Sequence, residues 1–281
     1  DWIGWDQEEL DVSDVCRRRG YVFVLLIAAA YGQLAADAPV PGPLPGPSAW
    51  RAAGEGTLAL GMLLELWLDF FRMPTMTKDC ELFEFTQKAG KMAFLTFWIL
   101  VLQSIQMVAS ALAELLLLSG AHCAGLFAFS YRIAVFMSTI GIMLTLLFLK
   151  FNYFEKAWRT EVKELWERRG IPLGTYTLLS HIPSLPIAVL DVVLVKDRRF
   201  LQLCNPDLLT NVALTCGFGT MYFVWIHVLW WLSNYEAWPY PFLHELDTIA
   251  KRCVFLLAIF IGLIIVMLTL LATMDLSRFF L

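Results

Sequence analysis

Charge is scarce in this chain. Lys, Arg, Asp and Glu make up only 16% of its 281 residues against 59% apolar residues, a balance that excludes a soluble domain of this length. Mean hydropathy of +0.65 says the same. No long basic run occurs and the net charge is only -4, so the electrostatic footprint of a nucleic-acid binder is missing. The six cysteines (Cys16, Cys80, Cys123, Cys204, Cys216, Cys253) never fall at C-x-x-C spacing, which argues against a zinc or iron–sulfur site and against a disulfide scaffold. They read as packing residues, and neither a metal nor a cofactor is expected. Internal repeats are also lacking, which disfavours an inverted-repeat transporter. The chain starts at Asp1 rather than Met, so it reads as a processed or trimmed product whose targeting segment is no longer legible.

Long apolar runs are what the sequence does have. A spanning helix needs roughly 20 apolar residues, and the runs at about 93–118, 128–150, 207–233 and 250–274 meet that length plainly. A fifth, at about 173–195, contains Gly174, His181, Pro183, Pro186 and Asp191, so a kinked or partly unwound helix is expected there. Shorter runs at 57–72 and 21–36 are weaker candidates, the first burdened by Glu65 and Asp69. Between those two lies DAPVPGPLPGPSAW, residues 37–50, whose prolines fix an extended, semi-rigid linker. The expected fold is an all-α integral membrane protein. A six-helix core occupies 57–281, and an N-terminal extension, 1–56, adds a seventh helix. With seven spans, fifteen of the 21 Lys and Arg fall on the face bearing Arg17 and six on the other, so the Arg17 face is assigned to the cytosol, matrix or stroma. Membrane lipids are the expected surroundings, in an endomembrane or an organellar inner membrane.

Polar residues inside apolar helices are costly and mark candidate sites. Thr96 lies roughly 5 Å and His181 roughly 12 Å inside their spans, both from the more basic face; helix tilt or the proline break can bring them level. A threonine beside an imidazole whose neutral form burial favours is a nucleophile and base pair. Each also has a bland reading. Thr96 can bond back to a carbonyl one turn earlier, and His181 can serve backbone groups freed by the prolines. His227, among Trp225, Trp230 and Trp231, reads mainly as an interfacial anchor; with His181 it also suggests a pair of haem ligands, a much weaker reading. Gln103, Gln106 and Glu114 can join polar contacts between helices. Asp191 either snorkels to the far face or orients a partner. His122 and His244 read as loop residues.

The segment FLTFWILVLQ, 94–103, resembles the L-T-F-x-x-L-V-x-Q signature of the androgen-induced family, which includes androgen-dependent regulators of tissue factor pathway inhibitor. HIPSLPIAVLD, 181–191, resembles its H-x-x-x-L-P segment with an acidic residue at the same offset. WIH, 225–227, and WPYPFL, 238–243, resemble its W-x-H and Y-P-F-L pieces. The resemblance covers roughly 57–275. It implies a multispan threonine hydrolase of fatty acid esters of hydroxy fatty acids, with Thr96 as nucleophile, His181 as base and a lipid ester as substrate. Ile99 departs from the pattern where relatives carry Asn or Asp, removing an orienting hydrogen bond. About five extra residues separate His227 from WPYPFL. The extension before 57 is additional to the family core. The alternative is a non-catalytic accessory subunit of a large organellar membrane complex, with protein partners docked through the N-terminal extension and the 234–247 loop.

Overall fold

The computed structural model describes residues 7–71, 89–121, 123–150, 181–205, 207–232, 243 and 245–276. Outside them lie residues 173–180 of the expected kinked span, His122, His244, Cys80, the SNYEA loop, most of the WPYPFL block and many of the basic residues counted for sidedness. Among the described residues the regular structure is all helix, without strands. The long helices are α1 (Gln7–Ala36), α2 (Ala49–Phe71), α3 (Leu95–Leu118) and α4 (Ala124–Leu149). A short α5 (Ser184–Leu190) continues into a π turn at Asp191–Val195, and α6 (Arg198–Cys204) follows. Then come α7 (Leu208–Leu232) and α8 (Ile249–Leu276).

Five of these, in α1, α3, α4, α7 and α8, are long and apolar enough to cross a membrane, and the segment Ser184–Val195 is shorter. This is an integral membrane protein. The four plainest spans match α3, α4, α7 and α8. Near the N-terminus, the run at 21–36 lies within a longer helix whose apolar part begins at Arg17. α2 starts at Ala49, earlier than the apolar run at 57–72 predicts, because Ala49–Ala53 are helix-compatible once the last proline is past. The linker is therefore irregular over 37–48 only, and α2 runs unbroken through residue 57.

α3 and α4 are the central helices, whereas α1, α7 and α8 turn most of their apolar surface outward. Lipid suits that outer surface, which exposes Leu25, Leu209, Ile249 and Val254. α3 packs on α2 and α4, and the α5–π segment packs on the same two helices. The four enclose a common interior across which α3 and α5 face one another. α3 ends in a Schellman motif: Ala121 N–H donates to Leu116 O and Gly120 N–H to Leu117 O. Gly120 takes the left-handed φ of +80° that this stop requires. α1 leans on α3 and α4, with Phe23 against Phe97 and Trp98 and Tyr31 edge-on to Phe129.

Candidate functional site

α3 begins abruptly, and its start is held from three sides. Phe94 is extended, with φ -106° and ψ 128°, so the chain turns out of the 3-10 turn at Gly90–Ala93 directly into the first helical residue, Leu95. The carbonyl of Met92 accepts the indole N–H of Trp98 at 2.8 Å and that of Trp225 at 2.7 Å. Tyr222 donates its hydroxyl to Ala93 O at 2.7 Å. Lys91 donates to both the carbonyl and the carboxylate of Asp69, and lies 5.7 Å from the Phe70 ring centroid. Lys91 is thus buried in an ion pair with α2 and is not a free loop base.

This turn sets Thr96 as the second residue of α3. Its Oγ1 lies 3.0 Å from His181 Nε2, a hydrogen-bond distance. Both residues are half-buried. His181 stacks on Phe148 of α4, with centroids 4.3 Å apart and planes 19° from parallel. Thr145, one turn earlier on α4, donates to His181 O at 2.5 Å. Pro183 caps α5 and Pro186 sits in its first turn, where a missing N–H costs no helical bond. The break thus frees the carbonyl of His181 for Thr145, while the ring points to Thr96. With the proton on Nδ1, Nε2 is the acceptor for the threonine hydroxyl. The first-turn N–H groups of α3 carry no side-chain cap, and a helix start presents such donors together with the positive end of its dipole.

The other expected site residues sit elsewhere. Gln103 is fully buried two turns along α3 from Thr96, with Nε2 donating to Met137 O at 3.3 Å. Ile99 is buried between them. Asp191 does not snorkel: it has no exposed surface, and its Oδ1 lies 3.0 Å from Lys196 Nζ. His227 turns to its own helix, with Nδ1 2.8 Å from Phe223 O and its ring 4.2 Å from the Phe223 ring. Phe223, Val224, His227, Val228 and Trp231 line a shallow apolar groove there. Of the described cysteines, Cys204 is buried, Cys216 is half-buried, and Cys123 and Cys253 are exposed.

One cluster escaped the sequence reading. Lys196, one of the six bases assigned from the sequence to the face opposite Arg17, has no exposed side-chain surface. It donates to Glu55 Oε1 at 2.7 Å and to Ser110 Oγ at 2.6 Å, and its Nζ lies 4.8 Å from the Tyr131 centroid. Tyr131 in turn donates to Glu114 Oε1 at 3.1 Å, which also receives Arg51 Nε at 2.9 Å. The sequence signals are Glu114 inside an apolar run and the opposite charges Asp191 and Lys196, five residues apart, a spacing that faces no neighbour in an α-helix.

The sequence profile described as FAR-17a/AIG1-like protein matches residues 57–274. No curated protein and no solved structure matches the chain.

Proposed function

The chain belongs to the FAR-17a/AIG1-like family, and from that premise we propose that it is an intramembrane lipid ester hydrolase with Thr96 as nucleophile and His181 as general base. The observation that carries this reading is the 3.0 Å approach of Thr96 Oγ1 to His181 Nε2. In the first half-reaction Thr96 Oγ1 attacks the ester carbonyl while Nε2 takes the hydroxyl proton. The tetrahedral oxyanion develops beside the uncapped first turn of α3, whose N–H donors and dipole favour negative charge. Collapse expels the alcohol, which leaves with the proton from His181, and an acyl-threonine ester remains. Water then attacks that ester with Nε2 again as base. The fatty acid departs and the threonine hydroxyl is restored.

The phenyl ring of Phe148 and the Thr145 hydroxyl hold the imidazole in plane and in place, a preorganisation that shortens the search for a reactive geometry. Thr96 is the second residue of a helix long and apolar enough to cross a membrane. A lipid ester, such as a fatty acid ester of a hydroxy fatty acid, reaches the pair laterally with its chains still in hydrocarbon.

The test is covalent labelling of the solubilised, folded protein with a fluorophosphonate probe. Threonine oxygen displaces fluoride from phosphorus, so the label should be lost in Thr96→Ala. It should slow by roughly 10²–10⁴-fold in His181→Ala, the usual worth of a general base. Unlabelled wild-type protein, or labelling that survives Thr96→Ala, overturns the hydrolase and leaves the accessory-subunit reading, for which co-purifying partners are the readout.

A further inference from the structure

The interior enclosed by α2, α3, α4 and α5 carries more polar groups than an ion cluster needs. α3 and α5 start at the same face and run parallel in nearly constant register. Thr96 meets the residue 85 positions on, and Ser110 meets the residue 86 positions on. The extra residue belongs to the π turn at Asp191–Val195, which inserts one position into a helix. In the same register Ile99 corresponds to Ser184, Gln103 to Ala188 and Gln106 to Asp191. Ser184 thus supplies a hydroxyl at the level where α3 carries isoleucine.

Ser184, Gln103, Gln106, Glu55 and Asp191 have no exposed surface at all. Among the described residues, Ser184 Oγ, Gln103 Oε1, both amide atoms of Gln106 and Glu55 Oε2 nevertheless have no hydrogen-bond partner. An ion cluster that served only to join helices would satisfy Lys196, and here it does, with hydrogen bonds to two oxygens and the Asp191 carboxylate 3.0 Å away. It would not require a partnerless amide at Gln106 or a partnerless hydroxyl at Ser184. Water is the one ligand that meets donors, acceptors and carboxylates alike in so small a space. Charge adds a second argument. Glu55 and Asp191 together outnumber Lys196 by one negative charge, and in a low-dielectric interior a bound proton removes the imbalance. The groups facing this centre are Tyr31 from α1, Arg51 from α2, Ser110 and Glu114 from α3, Tyr131 from α4 and Asp197 at the start of α6.

We propose that this interior is a water file. It extends about 21 Å along α3 from Ser110 and Lys196 to Thr96 and His181, and opens to the far face past Tyr131, Glu114 and Arg51. Glu55, paired with Lys196 at 2.7 Å, exchanges a proton with it. Arg51 forms the outer end, with 12% of its side chain exposed. The service such a file gives to hydrolysis rests on Thr96 being a nucleophile: each turnover consumes one water and releases an acid whose proton must leave. The file itself does not depend on that reading.

The test uses the full-length protein with all six cysteines replaced, in oriented liposomes, and silver ion added at the Arg51 face. Silver ion reacts with a wetted thiol, Cys–SH + Ag⁺ giving Cys–S–Ag + H⁺. Gln106→Cys and Ser184→Cys should react about tenfold or more faster than Val101→Cys in the dry core or Leu112→Cys on the lipid side, since reaction follows access to water. The Thr96→Ala change should leave those rates alone. Reaction no faster than in the two controls overturns the file. Labelling by silver without labelling by fluorophosphonate leaves the file standing and removes the hydrolase; the reverse removes the file only. For variants that do not insert, the cysteine-free parent gives a second measurement: an infrared band of a protonated carboxyl that shifts in D₂O and is lost in Glu55→Gln. Absence of that band overturns the proton-holding centre.

Discussion

Thr57, Thr139, Thr215, Thr220, Thr269 and Thr273 each donate to the carbonyl four residues back, the habit of threonine in apolar helices. Thr96 has no such acceptor to spare. The carbonyl four residues behind it is that of Met92, and two indoles already occupy it. With that carbonyl taken, the Thr96 hydroxyl lies at hydrogen-bond distance from His181 instead. Thr96 and His181 were legible in the sequence as costly polar residues near one face, but the indole clamp was not, because Trp225 is 133 positions from the carbonyl it binds. Gly141 gives a test at the same scale. A Cβ there would lie 2.0 Å from Gln103 Nε2, so Gly141→Ala must push the amide off Met137 O. The gain in helix propensity, about 1 kcal/mol, is outweighed by overpacking of about 1–3 kcal/mol and by a lost hydrogen bond of about 1 kcal/mol. The expected net loss is about 1–3 kcal/mol, seen as a lower melting temperature in detergent. Adding Gln103→Ala should relieve most of it, since the two sites share one contact; purely additive losses would sink this account.

The helices themselves were the most legible elements, because four long apolar runs need no tertiary information to be read as spans. Their ends were less so. α2 gained a turn and more at its start, and carries Glu55 into the interior with it. The π turn is invisible in a pattern of apolar residues, since it changes the register without changing composition. It is the reason Asp191 and Lys196 meet at all. Helix starts also set a pH dependence. Asp207 caps α7, accepting from the Thr210 hydroxyl and from the N–H groups of Leu209 and Thr210. The Thr210 hydroxyl first, and then those amides, hold its carboxyl below the usual range. A carboxyl whose folded pKa is depressed stabilises the fold above its unfolded pKa and loses that contribution as pH falls through the folded one. Asp207→Ala should therefore lower the melting temperature at neutral pH, and the gap to wild type should close as the solution is acidified. A gap that stays constant would show that the cap acts without its charge.

Across the whole molecule, the matched family region starts at residue 57, yet the helix before the linker packs into the same body. Ala35 O of α1 approaches α4 so closely that a Cβ on Gly125 would lie 2.3 Å from it. Backbone cannot yield there as a side chain can. Gly125→Ala should lift the end of α1 from the bundle and raise protease cleavage in the linker at 37–48, whereas cleavage equal to wild type would show that α1 is not held by this contact. The Glu55–Lys196 bond has a consequence for how the chain is made. Its partners are 141 residues apart, so at roughly 5–20 residues per second the glutamate is synthesised on the order of 10 s before its ammonium exists. Over that interval α2 must keep Glu55 neutral or hold it at the membrane surface. A nascent chain cut short before Lys196 leaves Glu55 without its ammonium partner, a lasting flaw that cellular surveillance of unfinished membrane proteins can recognise.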